Sequence, residues 1–272
     1  MVEQQYPEVL TIAGSDSGGG AGIQADIKTM QACHVYSSSI LVAITAQNTL
    51  DVQAVLPMPI KMINAQFASI YADFDIKAAK TGMLADSQHV RCVVKNIKQY
   101  HITPLIVDPV MVAKGGTRLL TQEAIETIIQ DLIPLADIVT PNLPEAEAIT
   151  NMRIISKADF ETAAKKIAAM GAKNVIIKGG HGQGKTVSDY VLLADGHDFW
   201  LSGDRYDTKR KHGTGDTLSS AITSALAKGY SIEKAIRFGK KFVDMAIKKG
   251  IVVGHGHGPL NHWAMQGDHD EI

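Results

Sequence analysis

The 272-residue chain has no excess of charge of either sign: 27 lysines and arginines stand against 28 aspartates and glutamates, a formal net charge of −1. A basic footprint for nucleic acid or for an anionic membrane is therefore missing. Cysteine is scarce, with only Cys33 and Cys92. They have no metal-type spacing and form no disulfide framework, which fits a reducing cytosol. No apolar run reaches the length of a membrane span, and residues 1–8 are too polar and acidic for a signal peptide. Internal repeats, low-complexity tracts and Pro/Ser-rich linkers are absent as well. The expectation is a cytoplasmic protein with no nucleic-acid or membrane partner, organised as one domain over residues 1–272. Apolar residues, in contrast, are plentiful. At 45% hydrophobic against 20% charged, the chain has material for a sizeable core and is not disordered.

Short β-rich runs at residues 9–13, 40–45, 76–80, 105–111, 138–140 and 175–178 alternate with amphipathic stretches such as 121–135 and 157–170. Strands that are nearly continuous in apolar residues, separated by helices, predict an α/β fold with a mostly parallel sheet covered on both faces. Residues 190–194 and 199–201 flank Asp195-Gly196, which predicts an antiparallel excursion near a sheet edge. Ser231 is read as the cap of a helix running through Lys248-Lys249 to Gly250, with Glu233 in its first turn.

In open α/β sheets, ligands bind at the carboxyl ends of strands, and this chain places its glycines and polar clusters there. His212-Gly213-Thr214-Gly215-Asp216-Thr217 precedes an apolar-periodic helical stretch, so its glycines can present unpaired helix N-terminal amides to an anion such as phosphate. Asp216 is out of place beside an anion unless it has a task, and a base accepting a proton from an attacking hydroxyl is one such task. The first strand leads into a loop at residues 14–22 with five glycines. It is either a flexible connection or a backbone surface for a small substrate. It is not the dinucleotide fingerprint, because counting from Gly18 the third glycine falls on Ile23. Residues 179–186 fit the P-loop pattern letter for letter, but a β-rich run at 187–195 follows where a helix is required. Lys178, at the end of its strand, is the more informative lysine.

Asp108-Pro109 and Thr140-Pro141-Asn142-Leu143-Pro144-Glu145-Ala146-Glu147 also follow strands. Turn and cap chemistry accounts for them, and beside a phosphate site the same carboxylates suit Mg²⁺, which takes one or two carboxylates together with waters and phosphate oxygens. His255, His257 and His262 are read as loop or surface histidines, with His269 in the polar tail. Met83 is either core filling or the lining of a pocket.

Taken together, the motifs resemble the ribokinase superfamily, and within it the hydroxymethylpyrimidine/phosphomethylpyrimidine kinase branch. The matching runs are residues 11–16 with 18–26, 46–49, 80–84, 107–111, 140–147, 178–181, 212–217 and 256–259, in order along nearly the whole chain. The resemblance implies a ribokinase-like three-layer α/β/α fold. It also implies ATP-dependent, Mg²⁺-assisted phosphorylation of a hydroxymethyl group on a small heteroaromatic ring and then of the resulting monophosphate, in thiamine synthesis. A homodimer is implied too. Carried over by residue, Asp216 is the base and the amides of Gly213, Thr214, Gly215 and Asp216 form the anion hole. Lys178 and Thr208 contact phosphate, Glu145 and Asn142 organise Mg²⁺ and its waters, and Asp108 belongs to the same acidic region. Gln47, Asp26, Ala21 and Met83 map onto the pyrimidine pocket, where a glutamine amide offers one donor and one acceptor to an aminopyrimidine edge. The glycine-rich stretches at 14–22, 114–116 and 179–184 are expected lid loops.

One position departs from the branch, which usually resembles G-T-G-C at 213–216. Asp216 follows the wider ribokinase pattern. Pyridoxal kinase is the alternative on the same fold, and that branch resembles a lid with a cysteine where this chain has Ala113. A catalytically silent ligand-binding relative and a P-loop nucleotide switch complete the readings.

Overall fold

Alternation along the middle strands decides the architecture. Leu105 and Val107 are buried in one apolar cluster while Ile106 enters another, and Val175 and Ile177 are divided from Ile176 in the same way. Side chains two apart on a strand share a face, so a strand apolar at every position needs cover on both sides. A computed structural model, which describes residues 4–111, 120–180 and 184–265, supplies that cover. The strands are β1 (Glu8–Gly14), β2 (Tyr36–Gln47), β3 (Val52–Pro57), β4 (Ile76–Thr81), β5 (Leu105–Val107), β6 (Ile138–Val139), β7 (Asn174–Ile177), β8 (Thr186–Leu192) and β9 (Asp198–Asp204). The α-helices are α1 (Gly22–Ala32), α2 (Ile60–Tyr71), α3 (Ser87–Gln99), α4 (Gln122–Thr127), α5 (Leu143–Thr150), α6 (Lys157–Ala169), α7 (Thr214–Ala227) and α8 (Ile232–Lys248). Residues of α2 to α6 pack into the first cluster and residues of α1, α7 and α8 into the second, giving the expected three-layer α/β/α arrangement.

The sheet order is β3-β2-β1-β4-β5-β6-β7-β8-β9. β2, β1, β4, β5, β6 and β7 run parallel, while β3, β8 and β9 are antiparallel to their neighbours. Strand order reverses between β1 and β4, and a crevice opens at the carboxyl ends beside such a switch point. Around it gather the glycine-rich turn after β1, Lys80-Thr81-Gly82 at the end of β4, and the N-terminus of α7.

Several expected elements change. β5 ends at Val107 rather than at residue 111, because Asp108 turns the chain (Val110 N donates to Asp108 O at 2.9 Å) and Pro109 has no N–H to continue the ladder. The helix expected over 121–135 is α4 followed by a π-helical turn, Ile128–Leu132, and a 3₁₀ turn, Ile133–Leu135. Pro134 removes an α-helical donor there. β3 had no counterpart among the expected strands. The hairpin around Asp195-Gly196 and the Ser231 cap, which accepts from Lys234 N, are as expected.

The segment after α8 is tied across the sheet's carboxyl edge. Gly256 N and His257 N donate to Thr49 Oγ1 and O at 3.1 and 2.7 Å, and His212 N donates to Gly258 O at 3.2 Å. His262 corrects the surface reading of the C-terminal histidines, since it is 5% exposed and shares a 3.2 Å hydrogen bond with Thr217 Oγ1. Burial, with Lys28 adding to it, pushes the imidazole down to about 4 from 6.5. The unfolded chain therefore takes up this proton first as pH falls. Stability is fully present above about pH 6.5 and is lost towards pH 4, by up to about 3 kcal/mol from this group. His262→Gln keeps a partner for Thr217 and should flatten that limb of the denaturant midpoint against pH. An unchanged limb would show that other groups set it.

Candidate active site

Helix α7 starts without a side-chain cap, after Gly213 in the left-handed region (φ 79°). A Cβ on Gly213 would overlap the carbonyl oxygen of Gly20, so the turn before α7 and the glycine-rich loop touch backbone to backbone. Asp16 knits the same region together. Its carboxylate accepts from the amides of Gly18, Gly20 and Ala21 at 2.8, 3.0 and 2.9 Å, and meets His212 Nε2 at 3.0 Å. Burial would raise the Asp16 pKa, but His212 and these amides outweigh it and hold the carboxyl below its usual value. Gln47 Nε2 lies 3.1 Å from the same His212 nitrogen. The Met83 carbonyl accepts from Gly14 N at 3.0 Å, placing this half-buried side chain beside the start of the loop. Gln47, Ala21 and Met83 thus border one region next to the α7 terminus.

Asp216, in the first turn of α7, lies between two lysine–aspartate pairs. On one side Lys80 Nζ is 2.9 and 3.0 Å from the Asp26 oxygens and 3.6 Å from Asp216 Oδ1. On the other, Lys178 Nζ is 2.8 Å from Asp108 Oδ1, which also accepts from Thr140 Oγ1 at 3.1 Å. A Cβ on Gly215 would come within 2.7 Å of Asp108 Oδ2 and 3.1 Å of Lys178 Nζ, so this second pair abuts the helix terminus directly. Burial pushes the Asp216 carboxyl up to about 6, with Lys80 opposing and Asp26 and Asp108 reinforcing. Burial works against the charge of both lysines, but the surrounding carboxylates prevail and keep them protonated.

Glu145 is buried in a capping box: its Oε2 accepts from Asn142 N at 2.8 Å and Asn142 Oδ1 accepts from Glu145 N at 3.0 Å. The cap reading of this segment therefore holds, and Asn142 Oδ1 is committed to it. Burial pushes Glu145 up to about 7, against the pull of Lys178. Among the described residues no group of three or more His, Cys, Asp or Glu side chains gathers into a metal cage. That donor set fits a hard cation held by one carboxylate, waters and phosphate oxygens, and does not fit a protein-only metal site. An open groove of about 450 Å³ is lined by Gly184, Lys185, Asp204, Arg205, Tyr206, Asp207 and Lys211, the last of which accepts from Thr214 Oγ1 at the start of α7. Arg205 Nε is buried there without a partner among the described residues, while its Nη1 donates to Gly180 O at 3.0 Å, an arrangement suited to an anionic group.

One expected role changes. Asp26 does not face a pocket: it is fully buried, and Thr11 Oγ1, Ser220 Oγ and Lys80 saturate its carboxylate. Thr208, expected at a phosphate, accepts from Arg210 N at 3.1 Å through its Oγ1, next to Tyr206 and Asp207 of the groove. Residues 181–183 and 112–119, which include His181 and Ala113, and the tail with His269 lie outside the described residues. β8 follows the P-loop-like run, so the helix that pattern requires is replaced by a strand. Lys80, Asp16 and Arg205 had been given no role. The signal for Lys80 was the one that singled out Lys178, a lysine ending an apolar strand before a glycine.

The phosphomethylpyrimidine kinase family model matches residues 16–261. A hydroxymethylpyrimidine/phosphomethylpyrimidine kinase of Haemophilus influenzae is 48% identical over 260 residues, spanning 94% of this chain and 97% of its own. A thiamine biosynthesis bifunctional protein of Geobacter sulfurreducens is 41% identical over 93% of this chain and 52% of its own. An ADP complex of Bacillus subtilis pyridoxal kinase has a TM-score of 0.90 at 37% identity, covering 97% of this chain and all (100%) of that one.

Proposed function

The chain belongs to the phosphomethylpyrimidine kinase family, and we propose that it phosphorylates 4-amino-5-hydroxymethyl-2-methylpyrimidine and then its monophosphate with ATP, in thiamine synthesis. The observation that carries this reading is Asp216 at an uncapped helix N-terminus, between buried Lys80 and half-buried Lys178. Asp216 accepts the hydroxyl proton as the oxygen attacks the γ-phosphorus. The bond to the bridging oxygen breaks and ADP leaves. The Gly213, Thr214, Gly215 and Asp216 amides and Lys178 offset charge on the transferring group, which is where most of the work of phosphoryl transfer lies. The groove with Lys185, Arg205 and Lys211 suits the nucleotide, and Arg205 Nε is a donor with no partner among the described residues. Glu145, a buried carboxylate beside Lys178, would hold Mg²⁺ through water, with Asp108 paired to Lys178 rather than to the ion. When bound, Mg²⁺ neutralises charge on the ATP phosphates.

Gln47, Ala21 and Met83 form the pyrimidine side, and the Gln47 amide pairs with the ring's amino edge. ATP consumption measured side by side on hydroxymethylpyrimidine, its monophosphate and pyridoxal is expected to be substantial on the first two and weak on the third. Turnover of pyridoxal alone would replace this reading with that of a pyridoxal kinase.

The assembly is a homodimer through the β2–β3 edge. β3 ends the sheet of the described residues with its outer backbone unpaired, and its exposed Val55 and Leu56 stand with exposed Ile44 of β2 and Met62 of α2. Such an edge invites pairing unless covered, and a second copy covers it. Leu56→Glu should shift the sedimentation coefficient from dimer to monomer. A monomeric wild-type chain would end the proposal.

A further inference from the structure

Lys80 is fully buried at the carboxyl end of β4, and the proposed reaction gives it no task. A buried ammonium is costly unless matched, and this one is matched on several sides. Asp26 grips it with both oxygens at 2.9 and 3.0 Å. The Asp26 oxygens are in turn fixed by Thr11 Oγ1 at 2.6 Å from β1 and by Ser220 Oγ at 2.7 Å from α7. Ser220 lies one helical turn after Asp216, so the clamp ties Lys80 to the helix that carries the base. The remaining side of Nζ faces Asp216 Oδ1 at 3.6 Å. Gly82 leaves the room for this: a Cβ there would come within 3.2 Å of Nζ and 3.8 Å of that oxygen.

We propose that Lys80, clamped by Asp26, is a positioning residue for phosphoryl transfer that aims Asp216 and supplies its fixed counter-charge. The proposal rests on the reading of Asp216 as base. Asp216 is faced by Lys80 from β4, Asp26 from α1, Asp108 from the turn after β5, His212 from the preceding loop and Lys178 from the end of β7. Burial and the two aspartates favour its protonated form, and a protonated carboxyl cannot accept the substrate proton. Lys80 is the cation in direct contact with Asp216 that opposes them. Lys80 itself stays protonated, because the carboxylates around it outweigh its burial, so it holds the charge constant and does not relay the proton.

The two halves of the clamp have opposite effects on Asp216, and this gives the test. Turnover of the hydroxymethylpyrimidine step is followed against pH for the wild type, Lys80→Met, Asp26→Asn and Asp216→Asn. Lys80→Met is expected to move the acid limb up by about 1–3 units, as loss of an opposite charge at this range does. Asp26→Asn keeps the shape and the hydroxyl partners but removes a repelling charge and frees Lys80 for Asp216, so its acid limb is expected to move down. The KM for ATP should stay unchanged in both. A purely structural role would lower rates at every pH and leave the limb in place, which overturns the proposal. Lys80→Met strands a buried carboxylate and can fail to fold; Asp26→Asn then decides alone, and an unmoved or raised limb overturns the idea. If Asp216→Asn keeps full alcohol turnover, the base reading fails. If Asp216→Asn is inactive while the other limbs do not move, only the role of Lys80 fails.

Discussion

Asp216→Asn should lose about 10²–10⁴-fold in turnover of the pyrimidine alcohol, the range for removal of a general base, while still binding ATP. The amide fills the same space and can still hydrogen-bond, but it cannot take the proton. The second phosphorylation is expected to respond quite differently. Its nucleophile is a phosphate monoester oxygen whose second pKa is about 6, so at neutral pH it is already ionised and needs no base. In that step the Asp216 carboxylate opposes an incoming dianion, and the nearby charges of Lys80 and Lys178 offset it. The variant should therefore keep most of its phosphomethylpyrimidine kinase activity and convert supplied monophosphate to the diphosphate. Product analysis by chromatography from each substrate separates the two steps. Equal loss in both would make Asp216 a phosphate-positioning residue, and near-normal alcohol turnover would remove it as the base. The same contrast gives the departure from G-T-G-C a physical meaning: a neutral thiol there would not repel the second substrate, whereas Asp216 makes the site depend on its flanking lysines.

The parallel core of the sheet was legible because its middle strands are nearly continuous in apolar residues, as a sheet covered on both faces requires. β3 was not, because it is an exposed edge: from Gln53 to Pro57 every side chain is exposed, so no alternation marks it. The end of β5 was misjudged because Val110 and Met111 look like strand residues, although Asp108-Pro109 has already turned the chain. Within the site, Asp216, Lys178 and Glu145 could be singled out from their place after a strand or at a helix start, since helix termini and strand ends have local signatures. Asp26 could not. Its burial depends on Lys80, 54 residues away, and on Ser220, 194 residues away, and no local spacing reveals a charge matched across that distance. His212 was visible in its motif, but its link to both Asp16 and Gln47 required the fold.

Gly213→Ala is expected to disable both phosphorylations together, which separates the anion hole from the base. Gly213 sits at φ 79°, ψ 16°, where an L-residue costs about 1–2 kcal/mol, and its new methyl would overlap the carbonyl oxygen of Gly20. Gly20 has little room to withdraw. Its amide is bonded to Asp16 at 3.0 Å, and a Cβ on Gly20 would itself lie 2.8 Å from His212 and 3.2 Å from Pro259. Relief must come from the turn before α7, which displaces the amides of Thr214, Gly215 and Asp216 from the transferring group. Loss of one such donor costs about 10²–10³-fold, and a shift of about 1 Å in a positioned group costs about 10²-fold. Because the transferring γ-phosphoryl group is the same in both steps, the two rates should fall by similar factors and their ratio should stay near the wild-type value. In Asp216→Asn that ratio should move strongly toward the second step. Thermal unfolding of Gly213→Ala, followed alongside the kinetics, should show a folded but less stable protein. Full activity on both substrates in that folded variant would mean that the amides before α7 do not hold the phosphoryl group.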